Sequence, residues 1–518
     1  MASLLSMLSV GRLVIALVVF ILFRKLYIRF NRYRLASRTG CRPCPTYPQK
    51  DPIFGIDTHI ETIRGFISSH YLELLIRRHN KHGRTFSFNQ FGSTTISTCD
   101  PAVLKCTLSS HFKDFSNGDL RAKSVAPLLG QGIIAADGDQ WHHQRALIRP
   151  SFTRAQVTDL DIFERHAGRL IWAIEQKGFD VDIQNLVQQM VLDANTEYLF
   201  GESLGLLSNN VSSSAQALNE ALDYALEGVI YRIRLGKLMP FHRDPKFWAA
   251  CKTVHAFADQ YVARALELRK LQQHVKGPAE AVDQESKLPG RYIFLNEMAR
   301  DTADPILLRD QIVTIIMAAR DTTSATVSFA LYMLARRPDV WARLREDVLD
   351  HYLSPLTYEA LEEMKYLKWV VAETLRLFPP IANNGRMAVR DTVFPVGGGP
   401  DGQSPLLVTK GTSVLFSTYV MQRRTDLWGP DAEDFKPERW SPESERKGRH
   451  GWEYLPFLGG PRVCPGQKFA LTQTSHVLAR LAKAFERIEN MDPTEWREQW
   501  TLSVAPKDGV KVKMVPAV

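Results

Sequence analysis

Residues 305–337 read as a single helix, about 50 Å long at 1.5 Å per residue. Its apolar runs, Ile-Val-Thr-Ile-Ile-Met-Ala-Ala and then Ser-Ala-Thr-Val-Ser-Phe-Ala-Leu-Tyr-Met-Leu, leave almost no polar face. A helix that is apolar nearly all round is predicted to run through the middle of one large core. Between the two runs sits Arg320-Asp321-Thr322-Thr323. Charge at mid-core is costly unless something there uses it.

The rest of the chain is consistent with a mainly α body carrying minor β. Helical periodicity marks residues 156–176, 214–236, 247–275, 339–350 and 358–378, while 85–98, 406–416 and 510–515 read as strands. The last strand follows a Lys507-Asp508-Gly509 turn, and the polar stretch 272–287 reads as a loop. Internal repeats are absent. Six cysteines in 518 residues exclude a disulfide-framed scaffold.

The net charge of +9 is local. Residues 1–50 carry nine basic and no acidic side chains, and beyond them 56 basic residues balance 56 acidic ones. A nucleic-acid-binding body therefore has no electrostatic support. From residue 3 to 23 the chain is apolar apart from serines and Arg12, and about 31 Å of such helix matches a bilayer's hydrocarbon layer. The positive cluster follows the apolar run, and no small-residue cleavage site lies beyond Phe23. Both features favour an uncleaved anchor over a signal peptide. The expected organisation is a transmembrane segment at 1–23, a basic and proline-rich linker at 24–50, and a catalytic domain at 51–518 facing the cytosol. Cys41 and Cys44, spaced C-x-x-C without a second pair, read as ordinary hinge cysteines.

The chemistry points to Cys464. It ends a glycine-bearing loop, Phe457-Leu-Gly-Gly460-Pro-Arg462-Val-Cys464-Pro-Gly466, directly before a helix read at 467–485. A helix N-terminus is expected to favour thiolate over thiol. One thiolate without neighbouring Cys or His ligands suits an axial haem ligand better than zinc or an iron–sulfur cluster. Glycines permit close approach to a flat ligand, and Arg462 suits a haem propionate.

The pattern F-x-x-G-x-R-x-C-x-G, complete at Phe457, Gly460, Arg462, Cys464 and Gly466, resembles the haem-binding loop of the cytochrome P-450 superfamily. Glu373-Thr-Leu-Arg376 resembles its E-x-x-R, and Phe435-Lys-Pro-Glu-Arg439-Trp the segment whose arginine completes a Glu–Arg–Arg cluster. Trp141-His-His-Gln-Arg145 resembles the W-x-x-x-R whose Trp and Arg contact haem propionates. Ala318-Ala-Arg-Asp321-Thr322-Thr resembles A-G-x-[DE]-T-[TS], where acid and threonine relay protons during oxygen activation. The sequence departs from that pattern at Ala319, usually Gly, and Ala318 cannot form the haem ester of some animal fatty-acid hydroxylases. The resemblance, over about residues 45–518, implies a single large cytochrome P-450 fold. It also implies haem b with Cys464 as axial iron ligand, and monooxygenase activity. Pro465, lacking an N–H, is expected to leave the sulfur with fewer hydrogen bonds and the haem with a lower potential.

The segment 384–405 with its glycine-rich tip, Asp114-Phe-Ser, Pro127-Leu-Leu-Gly130 and Asp137-Gly138 resemble fungal alkane and fatty-acid ω-hydroxylases. That resemblance implies hydroxylation at or near the end of a lipophilic chain. A fungal polyketide or terpenoid is the alternative substrate, and a non-catalytic haem lipid binder or sensor the alternative class. The expected pocket lies at residues 117–125, 317–323, 380–383 and 502–505, with Arg121 or Lys123 as candidate carboxylate partners. Lacking a flavin domain and a dinucleotide fingerprint, the chain is expected to take electrons from an NADPH–cytochrome P-450 reductase, with cytochrome b5 a further donor. Lys436, Arg446, Lys447 and Arg449 are candidate docking contacts, and the endoplasmic reticulum membrane the expected location.

Overall fold

The computed structural model describes residues 2–152, 159–275, 292–444 and 451–517. The chain divides into two compact units, one of residues 1–58, 77–116 and 385–416, the other of 59–76, 117–384 and 417–518.

The first unit is built on a five-stranded sheet. Thr85–Gln90 and Ser93–Thr98 form an antiparallel hairpin, and Ser93–Thr98 pairs in parallel with Ser413–Ser417. Ile96, Val103, Phe115, Phe394, Val408 and Val414 fill its core. Thr392–Gly398 and Ser404–Val408 pair antiparallel around the glycine-rich tip, where Gly397, Gly399 and Gly402 take positive φ. The run expected at 406–416 is thus two strands.

The opening helix spans Ala2–Thr39, longer than the expected 23 residues. The supposed linker is helical to Thr39, because 24–39 contains neither Gly nor Pro. Gly40, at φ +67°, ends the helix, and Arg32 clasps Asp391 at 2.9 and 3.0 Å. Leu13, Ile15, Val19, Phe20 and Phe23 are exposed along this helix. Among the described residues, no helix is long and apolar enough to cross a membrane.

The second unit surrounds the helix Pro305–Arg336. Asp304 caps its start by accepting the amides of Ile306 and Leu307, and Pro305 takes the first helical position, where its missing N–H costs nothing. The helix is buried along nearly its whole length. It packs on the helices Ile183–Phe200, Pro245–Val275, Lys365–Leu377 and Gln467–Ala484. The loop after Leu129 approaches it so closely that a Cβ on Gly132 would sit 2.0 Å from the Thr314 hydroxyl.

The helix expected at 358–378 is two, Tyr358–Glu363 and Lys365–Leu377. Buried Met364 breaks it, and Asp347 accepts the Leu367 amide at 3.1 Å, a cap supplied by tertiary structure. The helix expected from 156 starts at Asp161, and residues 153–158 lie outside the described part. Residues 272–275 of the expected loop are helical, and 276–287 lie outside the described residues. Strands Asp180–Asp182, Lys511–Pro516 and Phe485–Asn490 form one small sheet, and Glu498–Trp500 with Val504–Pro506 another.

Candidate active site

The loop before Gln467 is held in a shape that few sequences adopt. Leu458 and Gly460 take positive φ, the second at no steric cost. The Cys464 amide donates to the Phe457 carbonyl at 3.0 Å, closing the loop. Cys464 is accessible, yet protein packs so densely around it that burial pushes its thiol pKa up. A side chain that is both reachable and surrounded faces an internal hollow. The Gly466 amide and the charge of Arg145 oppose the rise without reversing it. Both act toward thiolate, as expected of the helix N-terminus, and burial acts against them.

Two arginines share one carboxylate beside this loop, and a third stands near the cysteine. Arg462 donates to the Ala136 carbonyl at 3.0 Å and to Asp137 Oδ1 at 2.6 Å. Its guanidinium lies 4.6 Å from the centre of the buried Trp141 ring, and burial lowers its pKa to about 10. Arg121 donates to Asn384 Oδ1 at 2.6 Å and feels Asp137 as its counter-charge. Asp137 is further engaged by the Asn117 amide. Arg145 makes no hydrogen bond or ion pair among the described residues, and its charged neighbours are Cys464 and Arg149. This surplus of positive charge beside a hollow that holds a thiol fits a flat, dianionic iron porphyrin. Arg121 belongs to this cluster, whereas the Lys123 side chain is exposed and its carbonyl accepts from Arg232.

On the central helix, Thr322 Oγ1 donates back to the Ala318 carbonyl at 2.7 Å. Asp321 is buried; its Oδ2 accepts from Thr501 Oγ1 at 3.0 Å, and its Oδ1 has no hydrogen-bond partner. Arg320 Nη1 is 3.6 Å from that oxygen, while Arg320 Nη2 bonds Asp223 at 2.6 Å. Burial pushes the Asp321 pKa up, with Arg320 and Thr501 opposing. Asp321 and Thr322 are thus adjacent in sequence but turned to different partners. Thr501 was missed in the sequence, one residue ahead of the expected pocket segment. That segment meets the one at 380–383 where the Val504 amide donates to the Pro380 carbonyl at 2.9 Å.

Glu373, Arg376 and Arg439 come together. Arg376 grips Glu373 through two bonds of 2.9 and 2.8 Å, and Arg439 reaches the same carboxylate at 3.3 Å. The Trp440 indole and the Lys436 amide complete its coordination. Arg376 also donates to the carbonyls of Gln422, Ala432 and Asp434. Gln422 bonds the Arg376 carbonyl at 2.8 Å and accepts the Leu455 amide at 2.8 Å, which ties the cluster to the start of the cysteine loop. Nothing in a lone Gln signals this role. Lys436 is paired with Asp431, and Arg446, Lys447 and Arg449 lie outside the described residues.

The cytochrome P-450 family model matches residues 45–514. The chain is 38% identical to the cytochrome P-450 monooxygenase fsdH of Fusarium heterosporum over 94% of this chain and 85% of that protein. It is 40% identical to himC of Aspergillus japonicus over 95% and 87%. Cytochrome P-450 52A10 of Candida maltosa is 39% identical over 85% and 86%. The chain therefore belongs to the cytochrome P-450 family, and with it goes the chemistry of a monooxygenase that depends on haem and on a redox partner.

Proposed function

We propose that this chain is a membrane-anchored haem-thiolate monooxygenase acting at or near the end of a long-chain fatty acid or alkane. NADPH supplies the electrons through a separate reductase, and cytochrome b5 is a second donor. The observation that carries the placement of the haem is Cys464, open to a hollow inside dense protein, with Arg145, unpaired among the described residues, beside it.

Bound haem supplies the activation of dioxygen and the insertion of one oxygen atom into a C–H bond. Cys464 holds the iron, and Gly466 donates its amide to the sulfur. Trp141, Arg145 and Arg462 hold the carboxylates, while Phe457 and Gly460 shape the loop. Glu373, Arg376 and Arg439 keep that loop in place through Gln422. The Thr322 hydroxyl donates its hydrogen bond to the Ala318 carbonyl, so towards the reaction it is an acceptor. Asp321 is the group that takes up and releases protons, at Oδ1, the oxygen without a hydrogen bond. Arg320 lies 3.6 Å from that oxygen, and Thr501 holds the other one.

The exposed apolar residues from Leu13 to Phe23 support a bilayer anchor, since a patch of this size is seldom left in water. The basic turns from Arg24 to Arg38 then lie on the cytosolic side of the endoplasmic reticulum, with residues 51–518 as the catalytic domain. The test is incubation with reductase, NADPH and acids and alkanes of graded length, followed by mass spectrometry. Terminal or near-terminal alcohols are expected, and none from Cys464→Ala, which also loses its carbon monoxide difference band. Oxidation confined to polyketides or terpenoids would overturn the substrate assignment and leave the haem assignment standing.

A further inference from the structure

The helix Ser213–Leu235 brings Asp223 to Arg320, beside Asp321, and carries a second arginine near its end. Arg234 lies about 16 Å further along that helix. Its guanidinium carbon is 4.0 Å from the centre of the Phe66 ring. Phe66 stacks on Tyr71 at 3.9 Å, and Trp500 sets its edge against both rings, at 5.2 and 5.6 Å. All four side chains are half-buried, so the cluster remains reachable.

Arg234 is a cation with walls and no anion. Among the described residues no carboxylate pairs with it, and its Nε is buried without a hydrogen-bond partner. Burial brings its pKa down to about 10, which still leaves it charged near neutral pH. The acid closest in sequence to Trp500, Glu498, is committed to the amides of Tyr71 and Leu72 and to the Trp500 indole. Lys507 is turned to the Ser69 hydroxyl. A guanidinium stacked through its face keeps its N–H edge for a planar, bidentate acceptor, and a carboxylate has that shape.

Two routes lead from this cluster to the reacting end of the site. Thr501, next to Trp500, bonds Asp321, and the Arg234 helix itself bonds Arg320 through Asp223. Exposed Ile67 and Tyr231 add apolar surface next to Phe66 and one helical turn from Arg234. We infer that Arg234, set among Phe66, Tyr71 and Trp500, anchors the carboxylate of a long-chain acid whose far end reaches the Asp321 end of the site. This rests on the aliphatic substrate proposed above and selects the acid over the alkane. It also moves the carboxylate partner away from Arg121 and Lys123.

The test is a titration of the holoenzyme with lauric acid and with lauryl alcohol in a non-ionic detergent, following the haem absorbance. Arg234→Ala is expected to weaken lauric acid binding about tenfold or more and to leave the alcohol within about twofold. Arg234→Lys should recover part of the loss, and it carries the comparison if the alanine variant does not fold. Circular dichroism of each variant checks folding independently of the haem. Equal losses for acid and alcohol, or no loss for either, overturn the anchor while the aliphatic reading stands. A wild-type enzyme that binds neither ligand overturns both.

Discussion

Two buried charged clusters in this molecule are built in opposite ways. At Glu373, Arg376 and Arg439 every side-chain nitrogen and oxygen has a partner, and the cluster is closed by backbone carbonyls and the Trp440 indole. At Arg320 and Asp321, equally buried, Arg320 Nε and Nη1 and Asp321 Oδ1 have no hydrogen-bond partner. A satisfied network in low dielectric is rigid, whereas an unsatisfied one invites water or a reacting group. The first is the build of a support, and the second leaves polar atoms open for the proton delivery proposed for Asp321.

That contrast is open to direct attack. The largest effect is expected from Glu373→Ala, which strands Arg376, a fully buried cation, without its counter-charge. A loss of about 3–5 kcal/mol is expected, read as a much lower melting temperature and poor haem retention; a melting temperature within a few degrees of wild type would break the comparison. Asp321→Asn should leave folding intact and slow turnover by roughly a hundredfold or more, with oxygen consumed in excess of product. Normal coupling in that variant would remove Asp321 from proton delivery.

Thr501→Val is a finer probe. Burial has already raised the Asp321 pKa, and Thr501 stabilises the charged form. Removing that hydroxyl raises the pKa further, so the acid limb of the turnover profile should move to higher pH. A shift to lower pH, or none, would show that the hydrogen bond does not act on the carboxylate. The smallest effect belongs to the rim of the rigid cluster. Asp431, held near a pKa of about 2 mainly by Arg439, is only partly buried. Its contribution is complete above the ordinary aspartate range and fades as pH falls toward 2. Asp431→Asn should cost no more than about 1 kcal/mol at neutral pH, measured by denaturant titration. A larger loss would extend the rigid cluster to its exposed edge.

Much of the site was readable because its signals are local. Cys464 and its glycines sit within ten residues, and Glu373 and Arg376 are one helical turn apart. The central helix announces itself by having no polar face. What escaped were features made by distant partners: the break at Met364 capped by Asp347, the helix continuing to Thr39, the role of Gln422, and the aromatic surroundings of Arg234. Thr322 shows the limit within a motif: the motif implies a proton relay, and the hydroxyl turns back to its own helix.

The amino-acid order alone determined the long apolar helix, the cysteine loop and the family to which both belong, because each depends on neighbours along the chain. Only the tertiary structure decided which buried polar atoms find partners and which do not. The bond from Thr501 to Asp321 spans 180 residues, and whether such atoms meet depends on how helices pack, which no local spacing encodes.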